Sequence, residues 1–105
     1  MRTLIAASLV VFATASTTLA QDRGEFYRAG YLMAGSYLRA AVVCNNTAYV
    51  EKSFTFINSK EFRAFSAAYP NTYEKWMREG AENFNRMVMQ DGIPSACNAI
   101  ARAGR

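Results

Sequence analysis

The sequence predicts an all-α fold, a small bundle of four to five helices closed by one disulfide. Three observations predict it. Apolar residues recur at helical spacing through most of the chain after residue 21. Asparagine, proline and glycine interrupt that pattern at short intervals, where helices stop and start. Two cysteines, Cys44 and Cys97, stand in a chain whose first residues are built for export, and an even count there points to a bridge.

The export reading comes from the opening stretch. Met1-Arg2-Thr3 carries one positive charge, and Leu4 to Ala15 is uncharged, with only Ser8 and Thr14 among its apolar residues. Thr18-Leu19-Ala20 then sets small residues at its first and third places. This is the layout of a secretory signal peptide cleaved after Ala20. An uncleaved membrane anchor is the competing reading, because the uncharged run from Thr3 to Gln21 is nearly long enough to span a bilayer. The small polar residues Thr14 to Thr18 favour cleavage. With no cysteine at the junction, a lipid anchor is not expected. The expected organisation is a signal peptide at 1–20 and one helical domain at 21–105, periplasmic or secreted.

A chain of 105 residues holds one small domain. A domain of that size lies near the lower limit for unaided folding. A Cys44–Cys97 bridge would stabilise it by about 4 kcal/mol through the entropy of the unfolded chain. Free buried thiols are the alternative.

The first helical segment is residues 22–44. Tyr27, Tyr31, Ala34, Leu38 and Ala41 form its apolar stripe, and Leu32, Met33, Val42 and Val43 widen it. Arg39 is the one charge between Ala29 and Cys44, so this helix is expected at the centre. Arg39 also argues against a second membrane span. Gly30 and Gly35 weaken the helix by roughly 1 kcal/mol each relative to alanine, which close helix packing would justify. They form no phosphate-binding pattern, having neither a preceding strand nor a following Gly-Lys-Ser/Thr.

Cys44-Asn45-Asn46-Thr47 reads as one helix ending and another beginning. Asn45-Asn46-Thr47 also fits the N-glycosylation pattern and is read as loop chemistry. Residues 47–57 are ambiguous: Val50, Phe54 and Ile57 suit a helix, while Phe54 to Ile57 alone suits a strand. Asn58 with Glu61 resembles a capping box, and Ile57 and Phe62 sit at staple positions. A helix from about Ser59 would carry Phe62, Phe65 and Ala68 inward and stop before Pro70. Asn71 and Glu74 repeat the cap logic for a helix from about Thr72 to Gln90. Its apolar face is Tyr73, Trp76, Met77, Ala81, Phe84 and Val88. Glu74–Arg78 and Glu82–Arg86 are set for i,i+4 pairing on the other face. Asp91-Gly92 supplies a stop, and Pro94 opens a short last helix holding Cys97, Ile100 and Ala101. Gly104-Arg105 reads as a frayed end.

The inventory for chemistry is thin. The chain has no histidine, which removes the commonest general base and metal ligand. Bridged cysteines can be neither nucleophile nor zinc ligand. Glu74, Glu79 and Glu82 have basic neighbours and read as solvated surface rather than a glycosidase pair. No catalytic, cofactor-binding or metal site is expected. The formal charge of +4 is mild, and Arg and Lys are interleaved with Glu, so nucleic acid is not an expected partner.

Aromatic residues are the more suggestive feature. Tyrosine and tryptophan favour interfaces because they offer area and a polar handle. Helical periodicity already places Tyr27, Tyr31, Tyr73 and Trp76 in a core. Tyr37, Tyr49 and Tyr69 are less well explained, and Met87 and Met89 flank the apolar stripe. These five are the candidate interface, for another envelope or secreted protein.

The series Tyr31-Leu32, Tyr37-Leu38-Arg39, Cys44, Trp76-Met77, Phe84-Asn85, Cys97 resembles a family of small exported proteobacterial helical proteins of unknown function. It spans most of residues 21–105, although that family sets its first cysteine closer to the Leu-Arg pair. The resemblance implies a helical exported protein and no activity. In size, helicity and single disulfide the chain is also similar to HdeA-type periplasmic acid chaperones, without a matched motif. The expected function is non-enzymatic protein binding, as an envelope adaptor, inhibitor or immunity protein. An acid- or stress-activated chaperone and a small cell-wall hydrolase are the alternatives.

Overall fold

The computed structural model describes the backbone of residues 2–103 and the side chains of residues 23–103. Five helices follow one another: α1 (Arg2–Val43), α2 (Ala48–Ile57), α3 (Lys60–Ala68), α4 (Pro70–Asp91) and α5 (Ile93–Ala103). There is no strand among the described residues. The all-α bundle closed by a Cys44–Cys97 disulfide is therefore the observed fold. Side chains of the proposed signal segment, residues 1–20, and the chain end at Gly104-Arg105 lie outside the described residues. Among the described residues, no helix is long and apolar enough to cross a membrane.

Helices α1 and α4 run in the same direction. The Tyr31 ring neighbours Trp76, Gly35 meets Met77, and Arg39 bonds Asn85, so residue numbers rise together along both. Two parallel neighbours need a return path between them. Helices α2 and α3 supply it: Tyr49 packs on Tyr37, and Phe62 and Phe65 reach back to Tyr27 and Tyr31.

The ambiguous stretch 47–57 is helix α2, but not with the expected face inward. Ser53 is buried, Tyr49 and Phe56 pack against the core, and Val50 and Phe54 are exposed. The next two boundaries also move. Ser59, not Asn58, caps α3; its side-chain oxygen accepts from the Phe62 N–H at 3.2 Å. Asn58 instead closes α2. Helix α4 begins at Pro70, which occupies its first turn, so Asn71 lies inside the helix and caps nothing. The physical reason is the same at both ends of Pro70. Its ring bars Tyr69 from helical dihedrals, and its fixed φ and missing N–H suit a first helical position. Tyr69 accordingly breaks the chain at φ −131°, ψ 65°.

Of the residues expected inward on α3, Phe62 is buried and Phe65 half-buried, but Ala68 is exposed. The expected i,i+4 ion pairs of α4 are not closed. Arg86 donates to the Asn83 side chain, and Arg28 of α1 forms an ion pair with Glu79 of α4 at 3.4 Å. Other stops behave as the sequence indicates. Asn45 ends α1 at φ 53°, and Gly92 ends α4 at φ 85° while its N–H bonds the Val88 carbonyl at 2.8 Å.

The close approach that Gly35 invites is real. A Cβ on Gly35 would overlap the Met77 carbonyl and lie 2.7 Å from its carbon. On α4, a Cβ on Gly80 would overlap the Leu32 carbonyl in the same way. Ser36 seals this crossing, its hydroxyl 2.9 Å from both the Leu32 and the Gly80 carbonyl oxygens. Gly30 makes a separate allowance, for the Phe62 ring, 2.5 Å from where its Cβ would stand.

Two tyrosines on α1 fasten the remaining helices. Tyr31 donates to the Phe62 carbonyl of α3 at 2.6 Å, and Tyr37 to the Ile100 carbonyl of α5 at 3.3 Å. Around Tyr37 lies the main core of Ala40, Phe84, Ala96 and Ile100. The disulfide adds a covalent tie at the same end, with Cα atoms 5.8 Å apart across 53 residues of sequence.

Gly35→Ala or Gly80→Ala should lower unfolding free energy in urea by about 1–3 kcal/mol, because a backbone cannot yield as a side chain can. Gly24→Ala, with nothing within 4 Å of the added carbon, should be neutral or stabilising by up to about 1 kcal/mol. Replacing both cysteines by serine should cost about 4 kcal/mol in the same measurement.

Candidate interaction surface

The aromatic side chains gather at the junction of α1, α3 and α4. Tyr27 stacks on Phe65 with ring centroids 4.6 Å apart, and Phe65 stacks on Trp76 at 5.5 Å. Tyr31 sits within this cluster, 5.5 Å from the Tyr73 ring and 5.3 Å from Phe62. Edge and offset contacts of this kind add to the burial of the rings themselves. The cluster reaches the surface at Phe26 and Tyr69, both more than half exposed. A cleft of about 510 Å³ opens there, walled by Tyr27, Phe65 and Tyr69, with Arg23 and Thr72 at its polar margin.

The five candidate interface residues do not form one surface. Tyr37 is a correction: it is 0% exposed and belongs to the core, so it offers nothing to a partner. It lies on the flank of the predicted α1 stripe, one turn from Ala34 and from Ala41, and is buried together with both. Tyr49 is half-buried against it, with rings 5.5 Å apart, and Lys52 lies over the Tyr37 ring at 5.7 Å. Met87 packs at the core edge. Tyr69 and Met89 are exposed, Met89 to 85%. They stand at opposite ends of α4, about 30 Å apart at 1.5 Å per residue.

Four exposed apolar residues were not legible as surface. Phe26, Val42, Phe54 and Ile93 are each at least half exposed. Val42 lies between Ala41 and Val43 in an unbroken apolar run, where sequence carries no sign of which member points out. Phe54 and Phe56 both fit an inward helical position, and only the packing of α2 on α1 separates them.

A second depression, of about 360 Å³, lies along α1 and α4. Leu38, Val42, Met77 and Ala81 line it, with Arg39 and Arg78 beside them. Arg39 Nε donates to Asn85 Oδ1 at 2.8 Å.

Among the described residues, the titratable groups with displaced affinities are the two buried tyrosines, Tyr31 and Tyr37. Burial pushes the Tyr31 phenol above its ordinary value of 10.0; a hydrogen bond with Ser66 opposes this, and Tyr73 and Tyr27 reinforce it. Burial likewise raises Tyr37, with Tyr49 adding to it. Both phenols donate to carbonyls, so both are structural bolts in their neutral form. Among the described residues, no group of three or more Cys, Asp or Glu side chains is placed to hold a metal ion. Among the described residues, the one buried polar side chain outside the tyrosines, Ser53, donates to the Val50 carbonyl at 2.9 Å.

The fold thus defines a disulfide-closed, five-helix bundle with apolar side chains at several points of its surface. Comparison of the chain with protein-family models, with curated proteins and with solved structures finds no match.

The raised phenols set an alkaline limit. Below pH 10 both folded and unfolded states hold them neutral, and stability is fully present. Above it the unfolded chain ionises first, so stability should fall as pH rises through the folded-state values. Ultraviolet titration should show two tyrosines ionising later than the rest. Tyr31→Phe and Tyr37→Phe should each remove one late phenol and flatten the alkaline fall in melting temperature.

Proposed function

We propose that this is a non-enzymatic exported protein, periplasmic or secreted, that acts by binding another protein. An envelope adaptor, an inhibitor and an immunity protein all fit that description. The observation that carries the reading is the exposure of Phe26, Val42, Phe54, Tyr69, Met89 and Ile93, each at least half in water. Single exposed apolar residues are ordinary on any protein, whereas several on so small a domain mark surface that a partner can cover. Three of the six are aromatic, the side-chain class that most often dominates binding energy. The aromatic cluster behind Phe26 and Tyr69 holds both on a packed base, so little side-chain freedom remains to be lost on binding.

Affinity capture of the tagged protein from periplasmic extract, at neutral and acid pH, tests this. One partner at near-equal amount at neutral pH is expected, and Tyr69→Ser or Phe54→Ser should reduce its recovery without lowering the helical circular dichroism. Many partners appearing only in acid would replace the reading with that of an acid-activated chaperone. No partner at either pH would overturn it.

A further inference from the structure

Helices that meet at glycine leave a furrow beside the contact, because neither contributes a side chain to fill it. Gly35 and Ala81 are the shallow positions of such a furrow between α1 and α4. Leu38 and Met77 form its apolar walls, and Val42, 72% exposed, stands at its upper end. The charges that line it are of one sign. Arg39 comes from α1 and Arg78 from α4, and no carboxylate lines the furrow. Arg39 uses its Nε on Asn85, which steadies the side chain and leaves both terminal nitrogens to donate. Arg78 has no carboxylate within 4 Å: Glu74 and Glu82, one turn to either side of it on α4, pair with nothing among the described residues.

From this arrangement we propose that the furrow docks an amphipathic helix of a partner protein whose apolar stripe is flanked by carboxylates. This rests on the protein-binding reading and names the chemistry of the partner. An apolar floor between two parallel helices accepts anchors at i, i+3, i+4 and i+7 of a third. Two guanidiniums on its margins select acidic flanks, since each can hold a carboxylate by paired hydrogen bonds. They reject basic flanks by like-charge contact. A peptide that binds by strand addition would need an open strand edge, and the described residues contain no strand.

The test uses the full domain and two synthetic helical peptides with the same leucine stripe, one flanked by glutamates and one by lysines. Fluorescence anisotropy should show the acidic peptide binding at least about tenfold tighter, with affinity falling as salt rises. The Arg39→Gln/Arg78→Gln variant should lose most of that preference, and Val42→Asp should weaken the acidic peptide in particular. NMR shift changes should centre on Leu38, Val42, Met77 and Ala81. Equal binding of the two peptides, no binding, or shifts confined to the cleft at Tyr27, Phe65 and Tyr69 would overturn the proposal. So would sedimentation showing a dimer that Val42→Asp dissociates, because the occupant would then be a second copy. If the partner captured from extract is retained undiminished by the Arg39→Gln/Arg78→Gln variant, the furrow assignment fails while the protein-binding reading stands. Failure to capture any partner removes the reading itself.

Discussion

Helices α1 and α4 touch backbone to backbone, and almost everything else in the bundle follows from how near that brings them. Gly35 abuts the Met77 carbonyl and Gly80 abuts the Leu32 carbonyl, with the Ser36 hydroxyl between the two helices. Two glycines inside helices are a loss of roughly 1 kcal/mol each against alanine. Here the loss is offset by packing, since a closer interhelical distance lets the side chains on either side of the contact interlock. Parallel packing of α1 and α4 then obliges the chain to return between them, and α2 and α3 are that return.

A crossing of this kind fixes two helices and leaves three to be fastened. The fastening falls to tyrosine hydroxyls and to sulfur. Tyr31 and Tyr37 lie on α1, and their phenols bond carbonyls of α3 and α5. Each ring fills core volume while its hydroxyl satisfies a backbone acceptor, so a small domain gains burial and orientation from one residue. The Cys44–Cys97 bond ties α5 back to the end of α1, where the last short helix would otherwise have few contacts to hold it. Neutral phenols are required for this arrangement, and burial keeps them neutral well into the alkaline range.

The same economy explains the surface. With α1 at the centre and one long and three short helices around it, there is too little chain to cover every apolar side chain. Phe54 is displaced outward because α2 must turn Tyr49 and Phe56 toward Tyr37. Val42 is left uncovered beside the α1–α4 contact. Tyr69 is held in the open by Pro70, which breaks the chain there between two helices. Exposure at these points is thus a consequence of packing geometry, and it makes surface available for binding.

Helical class, the number of helices, the disulfide and most stops were legible in the sequence, because each depends on residues close together in the chain or on counting cysteines. Periodicity marks Tyr31, Phe84 and Ile100 as inward, and Asn45, Pro70 and Gly92 act through their own dihedral angles. Caps were legible to within two residues: Ser59 replaces Asn58 at α3 and Tyr69 replaces Asn71 at α4, because the path of the chain between helices, not residue type, decides which residue seals them. Which face of a helix is covered was not legible wherever apolar residues run without interruption, as at Val42 and across Phe54 to Ile57. Tyr37 shows the limit most clearly. Its hydroxyl bonds Ile100, 63 residues away. The sequence by itself determined that a small helical bundle would form and where most of its helices would end. Only the tertiary structure decided which apolar residues remain in water, because that depends on which neighbour arrives to cover them.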